Sequence, residues 1–288
     1  MTAPLTIAAL VRRLTDALTP LHGEREARSL ARLVVGQVTG RSGAALLRDG
    51  GEPVPEASVD KINTILRQMK EERMPVQYLL GTTSFYGLEL EVTPAVLIPR
   101  PESEEMVASL FEALRDVPGP FPLLDAGTGS GCLAIALALH LPASQVWACD
   151  ISEEALDIAR RNARRHHADI RFFSCDLLSP GTLPDRTWQC IVSNPPYIPA
   201  GERPALQPEV ALHEPPRALF VPDDDPLLFY RALAAYALHH LAEGGILMVE
   251  CHEEQASHVA ALFRREGMQK VRVLQDINGK SRFVKAQR

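Results

Sequence analysis

Three observations predict an α/β fold with a Rossmann-like, mainly parallel sheet preceded by a small helical domain. From about residue 100 onward, short apolar runs alternate with helix-like runs. Successive apolar runs end in a polar residue, at Asp125, Asp150, Asp176 and Asn194. The first of them leads directly into a glycine-rich turn, Ala126-Gly127-Thr128-Gly129-Ser130-Gly131. Ligands of open α/β sheets bind outside the carboxyl ends of the strands, so these polar residues mark one edge of the sheet as the place for chemistry.

The elements follow in order. Residues 1–75 read as a helical domain, with apolar residues near a 3.6 period at Leu10, Leu14 and Leu18 and again at Leu30, Leu33 and Val34. Gly and Pro clusters at 36–43 and 50–55 divide it into several helices. Basic residues slightly outnumber acidic ones up to Met74, so the acidity of the chain rests in the remainder. That balance suits a recognition module; a plain stabilising cap would look the same in composition. Residues 76–99 alternate apolar and polar positions and read as a β-hairpin linking the domains. Residues 100–288 carry the strand and helix alternation, which closes with the run Gly245-Ile246-Leu247-Met248-Val249-Glu250 and two strands near Val271–Leu274 and Arg282–Lys285.

Composition bounds the function. At 288 residues and 46% hydrophobic, the chain can bury a full core and divides into one small and one larger domain. No apolar run approaches the roughly 20 residues that span a bilayer, and the start lacks a basic-then-apolar signal, so a cytoplasmic protein with no membrane partner is expected; a monomer is expected as well. Cys132, Cys149, Cys175, Cys190 and Cys251 are widely spaced without a CxxC pair and are expected to be buried reduced thiols. The pairs His166-His167 and His239-His240 fall near helix ends and read as solvated termini. Asp223-Asp224-Asp225 reads as a solvated loop, and no metal is expected. Glu102, Glu104 and Glu105 follow Pro101 as an acidic first turn favoured by the helix dipole.

The glycine-rich turn reads as a nucleotide-cofactor loop. Gly127, Gly129 and Gly131 permit positive φ and close backbone approach, while Thr128, Ser130 and the N–H groups opening the next helix can meet a polar ligand. Asp150, about 25 residues beyond Asp125 and followed by Ile151, stands where an acid hydrogen-bonds ribose hydroxyls. A Rossmann domain binding NAD would carry the same acid. Asp125 separates the two readings: an acid just before the glycines is unhelpful beside a pyrophosphate but suits a cofactor with a cationic ammonium and sulfonium. The cofactor expected is S-adenosylmethionine, with S-adenosylhomocysteine as product. At the third strand end, Asp176 can contact the adenine amino group and Leu177 can pack on the ring, although Asp176 taken alone reads more often as a turn residue.

At the fourth strand end stands Asn194-Pro195-Pro196-Tyr197. The Asn side-chain carbonyl accepts hydrogen bonds, and prolines, having no N–H, leave nearby backbone carbonyls as free acceptors. Such a set grips an NH2 group, while a bare Asn-Pro-Pro would serve equally as a turn that stops a strand.

With these motifs together, the chain resembles the HemK family of protein-glutamine N5-methyltransferases, and within it the branch acting on release factors. The resemblance runs over nearly the whole chain. Beyond the glycine loop and Asn-Pro-Pro-Tyr it includes Pro75–Gly81, Phe85-Tyr86-Gly87, Leu97-Ile98-Pro99-Arg100-Pro101-Glu102-Ser103-Glu104, Glu214–Leu219 and Asp276–Arg282. Asn-Pro-Pro-Tyr alone is shared with adenine and cytosine amino-methyltransferases. A sister family acting on a ribosomal protein usually reads Pro-Arg-Ser where this chain has Pro99-Arg100-Pro101, and Ser103 stands where the release factor branch usually has Thr or a similar polar residue.

The resemblance implies a seven-stranded class I methyltransferase domain whose last strand pairs antiparallel. It also implies methyl transfer from S-adenosylmethionine to the glutamine nitrogen of the Gly-Gly-Gln loop of class 1 release factors, docked by the N-terminal domain. It assigns Asn194, Pro195 and Tyr197 to catalysis, and Asn194, Pro195, Pro196, Tyr197 and Arg100 to the substrate. To the cofactor it assigns Asp125, Gly127, Thr128, Gly129, Ser130, Gly131, Asp150, Ile151, Asp176, Leu177 and Asn194. Methylation of a ribosomal protein or of nucleic acid is the alternative. A net charge of −6 weighs against nucleic acid as a direct substrate, because phosphate binding recruits a Lys/Arg surface.

Overall fold

The computed structural model describes residues 5–41 and 43–288, with Pro180 described by its backbone alone. The chain divides into two compact units, one reaching to Gly81 and including Gln207–His213, the other holding Thr82–Leu206 and Glu214–Arg288.

In the first unit the expected periodicity gives helices α1 (Ile7–Thr39), α2 (Gly43–Arg48), α3 (Glu56–Glu71) and α4 (Val76–Leu80). Thr6 caps α1 through its hydroxyl, which accepts from Ala9 N at 3.3 Å. Leu10, Leu14 and Leu18 are fully buried. A break not foreseen lies within α1 at Gly23, with φ 74° and ψ 161°, just beyond Pro20. After it the buried stripe is Ala27, Ala31, Val34 and Val35, leaving Leu33 44% exposed. Ile62, Ile65 and Met69 of α3 complete this core. The distant segment Gln207–His213 joins the unit through polar contacts: Arg73 Nη2 lies 2.7 Å from Glu209 Oε1, and His213 Nε2 lies 2.7 Å from the Glu72 carbonyl oxygen.

The second unit opens with a hairpin, β1 (Thr82–Phe85) and β2 (Leu88–Glu91). Its two-residue turn, Tyr86-Gly87, has positive φ at both positions, the geometry that matches the twist of paired strands. The hairpin is narrower than the 76–99 alternation suggested, because Val76–Leu80 is helical and residues 92–100 are irregular. Then come α5 (Pro101–Leu114), β3 (Phe121–Ala126), α6 (Cys132–His140), β4 (Ser144–Asp150), α7 (Glu153–Arg165), β5 (Ile170–Ser174) and β6 (Trp188–Ser193). The rest is β7 (Ile198–Pro199), α8 (Pro208–His213, within the first unit), α9 (Pro216–Leu219), β8 (Phe220–Val221), α10 (Leu228–His240), β9 (Leu241–Glu250), α11 (Ala256–Arg265), β10 (Gln269–Gln275) and β11 (Ser281–Gln287).

The seven-stranded sheet has the order β10-β11-β9-β6-β3-β4-β5. Strands β9, β6, β3, β4 and β5 pair in parallel, and β11 runs antiparallel between β9 and β10. The order reverses at β3, which lies between β4 and β6, so the ends of these strands form a switch-point crevice. Successive side chains point to opposite faces. Leu124, Ile191, Leu247 and Val249 pack with α10 and α11, while Leu123, Cys190, Val192 and Met248 pack with α5 and α6. Among the described residues no helix is long and apolar enough to cross a membrane.

One expectation is corrected. Cys149, near the end of β4, and Cys175, just past β5, are joined as a disulfide with Cα atoms 5.8 Å apart. Their separation of 26 residues looks wide in sequence, but a single strand-helix-strand repeat returns the chain to the neighbouring strand end. Cys132, Cys190 and Cys251 are free.

Candidate active site

The apolar strand β3 ends in a carboxylate that its own loop folds over. Asp125 is fully buried on the face that carries α6. Its Oδ2 accepts from Thr128 Oγ1 at 2.6 Å and from Ala134 N at 3.1 Å, so it supplies the cap that Gly131 cannot give α6. Among the described residues its Oδ1 has no hydrogen-bond partner. Burial pushes the carboxyl up to about 7, with Thr128 and Ala134 pulling the other way and the Asp150 charge adding to the rise.

Above Asp125 the loop rises on positive φ at Gly127, Gly129 and Gly131. Gly127 N and Thr128 N both donate to the Cys149 carbonyl, at 2.9 and 2.8 Å, and Gly129 N donates to Asp150 Oδ2 at 2.9 Å. Gly127, Thr128, Gly129 and Ser130 line a cavity of about 740 Å³, a size typical of cofactor sites. Asp125 and Gly131 are not on its wall. Asp125 acts from beneath the loop, and Gly131 packs α6 onto α7: a Cβ there would stand 3.1 Å from Ala159 Cβ.

The next strand ends complete the wall. Asp150 faces the cavity while its Oδ1 accepts from Ser152 N at 3.0 Å. Burial raises its pKa, opposed by the N–H groups of Ser152, Gly129 and Ile151. Ile151, half exposed, and Leu177 offer apolar surface on the same wall. Asp176 lines the cavity and also closes its own turn, accepting from Leu178 N at 2.9 Å and from Ser179 Oγ at 3.0 Å. The turn reading of Asp176 is what these contacts show.

Asn194, Pro195 and Pro196 stand on the wall beyond β6. Asn194 Nδ2 donates to Ser103 Oγ at 3.4 Å, and Ser103 Oγ donates to Glu250 Oε2 at 2.6 Å. Tyr197 is not on the wall; its hydroxyl donates to Glu250 Oε1 at 3.4 Å and its ring packs with the α10 and α11 layer. Burial raises the pKa of Glu250, against the Ser103 hydrogen bond and the Arg282 charge. Arg282 is in turn held by Asp276 at 3.3 Å. Arg100 lines the cavity, with Nη2 2.5 Å from Oε1 of the buried Glu214.

Ser103, Glu250 and Glu214 are site residues that motif reading passed over. The available signal was a carboxylate ending the otherwise apolar run Ile246–Val249. Two of the acids read as a dipole-favoured first turn also hold other segments: Glu104 Oε1 accepts from Tyr86 N at 2.8 Å, and Glu105 Oε1 from Ile277 N at 3.1 Å. Asp223 Oδ1 likewise accepts from Gly201 N at 2.7 Å. Among the described residues no cluster of three or more His, Cys, Asp or Glu could hold a metal.

S-Adenosylmethionine fits this site. The unpartnered, buried Asp125 oxygen lies under the loop where a cationic ligand would favour its carboxylate form, and the partly buried loop, Asp150 and the apolar Ile151 and Leu177 suit the ligand's other parts.

Comparisons with known proteins agree. Residues 9–81 match the family model described as the PrmC N-terminal domain, and residues 108–211 match the methyltransferase small domain. The release factor glutamine methyltransferase of Geobacter sulfurreducens is 46% identical over 215 residues, covering 75% of this chain and 74% of the relative. That of Bacillus subtilis is 37% identical over 284 residues, covering 97% and 96%. A crystal structure of a methyltransferase from Pyrococcus furiosus shares the fold, with a TM-score of 0.53, 18% identity and coverage of 81% of this chain and 98% of that one. The chain belongs to the release factor glutamine methyltransferase family.

Proposed function

We propose that Asn194 and Pro195 present a glutamine side chain of a release factor to a methyl donor held by the glycine loop, so that the chain methylates the amide nitrogen of the Gly-Gly-Gln loop. The observation that carries this reading is that Asn194, Pro195 and Pro196 share one cavity with Gly127–Ser130 and Asp150. Bound there, S-adenosylmethionine supplies an electrophilic methyl group on its sulfonium.

The amide nitrogen is a poor nucleophile because its lone pair is delocalised into the carbonyl. Asn194 Oδ1 and the Pro195 carbonyl would accept its two N–H bonds and fix the lone pair toward the donor. Asp150 would take the ribose hydroxyls, Ile151 and Leu177 the adenine faces, and Asp176 the adenine amino group. Asp125 would favour the cationic end from beneath the loop. Tyr197, tied to Glu250, would support the turn rather than close over the substrate. Arg100, paired with Glu214, would shape the substrate side of the wall. We assign release factor docking to the helical unit. We further propose that the chain works as a monomer in the cytoplasm alongside its substrate.

The relatives' names favour a release factor over a ribosomal protein or nucleic acid. The test is incubation with labelled S-adenosylmethionine and a release factor, the same factor with Glu in place of the loop Gln, or duplex DNA. Label is expected only in the Gln-bearing factor. Asn194→Ala should lower single-turnover transfer by about 100- to 1000-fold, the usual effect of losing one preorganised polar contact, while cofactor affinity changes little. Transfer to the Glu form, or near-normal turnover by Asn194→Ala, would mean that this acceptor pair is not the catalytic device.

A further inference from the structure

An asparagine amide is nearly symmetric in shape, and only its hydrogen-bond partners decide which end faces a substrate. For the target NH2 group the choice matters. Asn194 Oδ1 toward the cavity accepts an N–H; the flipped amide would set two NH2 groups against each other, donor against donor. The Asn-Pro-Pro-Tyr turn has no means of its own to make that choice.

The choice is made by Ser103, beside Asn194 on the wall, and by Glu250, which lies off it. Glu250 is buried at the end of β9, and as a carboxylate it can only accept. Ser103, in the first turn of α5, is also buried and has one hydrogen to give, which goes to Glu250 Oε2 at 2.6 Å. Toward Asn194 the serine oxygen can then only accept, so the group 3.4 Å from it is Nδ2. Direction passes along the chain from Glu250 to Ser103 to Asn194. Glu250 Oε1 accepts from Tyr197 at 3.4 Å as well, so one carboxylate steadies both ends of the turn.

We propose that Ser103 and Glu250 are positioning residues that set the polarity of the Asn194 amide, holding its nitrogen at Ser103 and leaving its carbonyl oxygen for the substrate. The proposal rests on the glutamine-methylation reading above. Ser103 stands on the cavity wall beside Asn194 and Glu250 lies off it, and both act through the Asn194 amide.

A double-mutant cycle on the full-length enzyme tests this, with single-turnover transfer at saturating release factor, calorimetric affinity for S-adenosylmethionine and thermal melting for each variant. Ser103→Ala is expected to slow transfer by about 10- to 100-fold, as loss of a supporting hydrogen bond commonly does, with cofactor affinity and melting close to wild type. Ser103→Thr keeps the hydroxyl and should restore transfer to within about threefold of wild type. Glu250→Gln preserves shape but can turn either amide end toward Ser103, so it should also slow transfer, and it is a second probe should Ser103→Ala fold poorly. In an Asn194→Ala background neither change should slow transfer further by more than about twofold, because the group they orient is gone. Losses that multiply in the double variants, or full turnover by Ser103→Ala, overturn the proposal while leaving the reading intact. Failure of the wild-type enzyme to distinguish the Gln loop from the Glu loop overturns the reading, and the proposal with it.

Discussion

Asp125 shows how a single side chain links burial to ligand chemistry. Its carboxyl is pushed up to about 7 from an ordinary 3.8, chiefly by burial. The folded protein therefore holds the proton more tightly than the unfolded chain does. The stability this contributes is complete below about pH 4 and is lost as pH rises through about 7. A cation bound above the loop reverses the balance, because it favours the carboxylate. Binding of S-adenosylmethionine should thus expel a proton below about pH 7 and tighten as pH rises to about 8. Calorimetry at about pH 6.5 in two buffers of different ionisation heat should show that release, and Asp125→Asn should abolish it. Equal heats for the wild-type protein in both buffers would remove Asp125 from the cofactor's electrostatics. Asp150 differs, since it faces the cavity. Asp150→Ala should weaken S-adenosylmethionine binding by about 1.5 to 3 kcal/mol, the worth of a charge-assisted hydrogen bond. Unchanged affinity in a folded variant would take the ribose away from Asp150.

The strands and helices set which of these residues could be read from sequence. Strand ends carrying Asp125, Asp150, Asp176 and Asn194 were legible because an apolar run that stops at a polar residue leaves a local mark, and the glycines mark the turn beside them. Glu250 carried the same mark, but its partners did not show; Ser103 and the disulfide partners Cys149 and Cys175 left no mark, because their roles come from neighbours brought in across the sheet. The Gly23 break in α1 was hidden for a different reason: one glycine inside an otherwise periodic run reads as tolerated. Gly131 lies between these cases, with a legible motif but a packing role visible only in three dimensions. Its φ is +83°, and an added Cβ would stand 3.1 Å from Ala159 Cβ and 3.3 Å from Ala159 Cα. Gly131→Ala should therefore force α6 off α7 and destabilise the protein by about 1 to 3 kcal/mol in denaturant unfolding. A smaller shift would show that the α6–α7 contact yields easily.

At the scale of the molecule, the division of labour follows the two compact units. Every residue on the wall of the cavity lies in the second unit. The first is not a simple N-terminal block, because Gln207–His213 returns to it through Glu209 and His213. A cut at residue 75, where the helical periodicity fades, would leave α4 and that segment without their partners. A cut after Gly81, with Gln207–His213 replaced by a short polar loop, removes the whole unit. Cofactor affinity of this variant should stay within about threefold of wild type, since fold and site are separable in this way. Methylation of the release factor should fall below detection if the helical unit docks it. The two measurements, calorimetry with S-adenosylmethionine and labelled transfer to intact release factor, answer different questions. Retained affinity with lost transfer assigns docking to the helical unit. Retained transfer would place the docking surface on the methyltransferase unit itself, and lost affinity in a folded variant would show that the cavity depends on the unit removed.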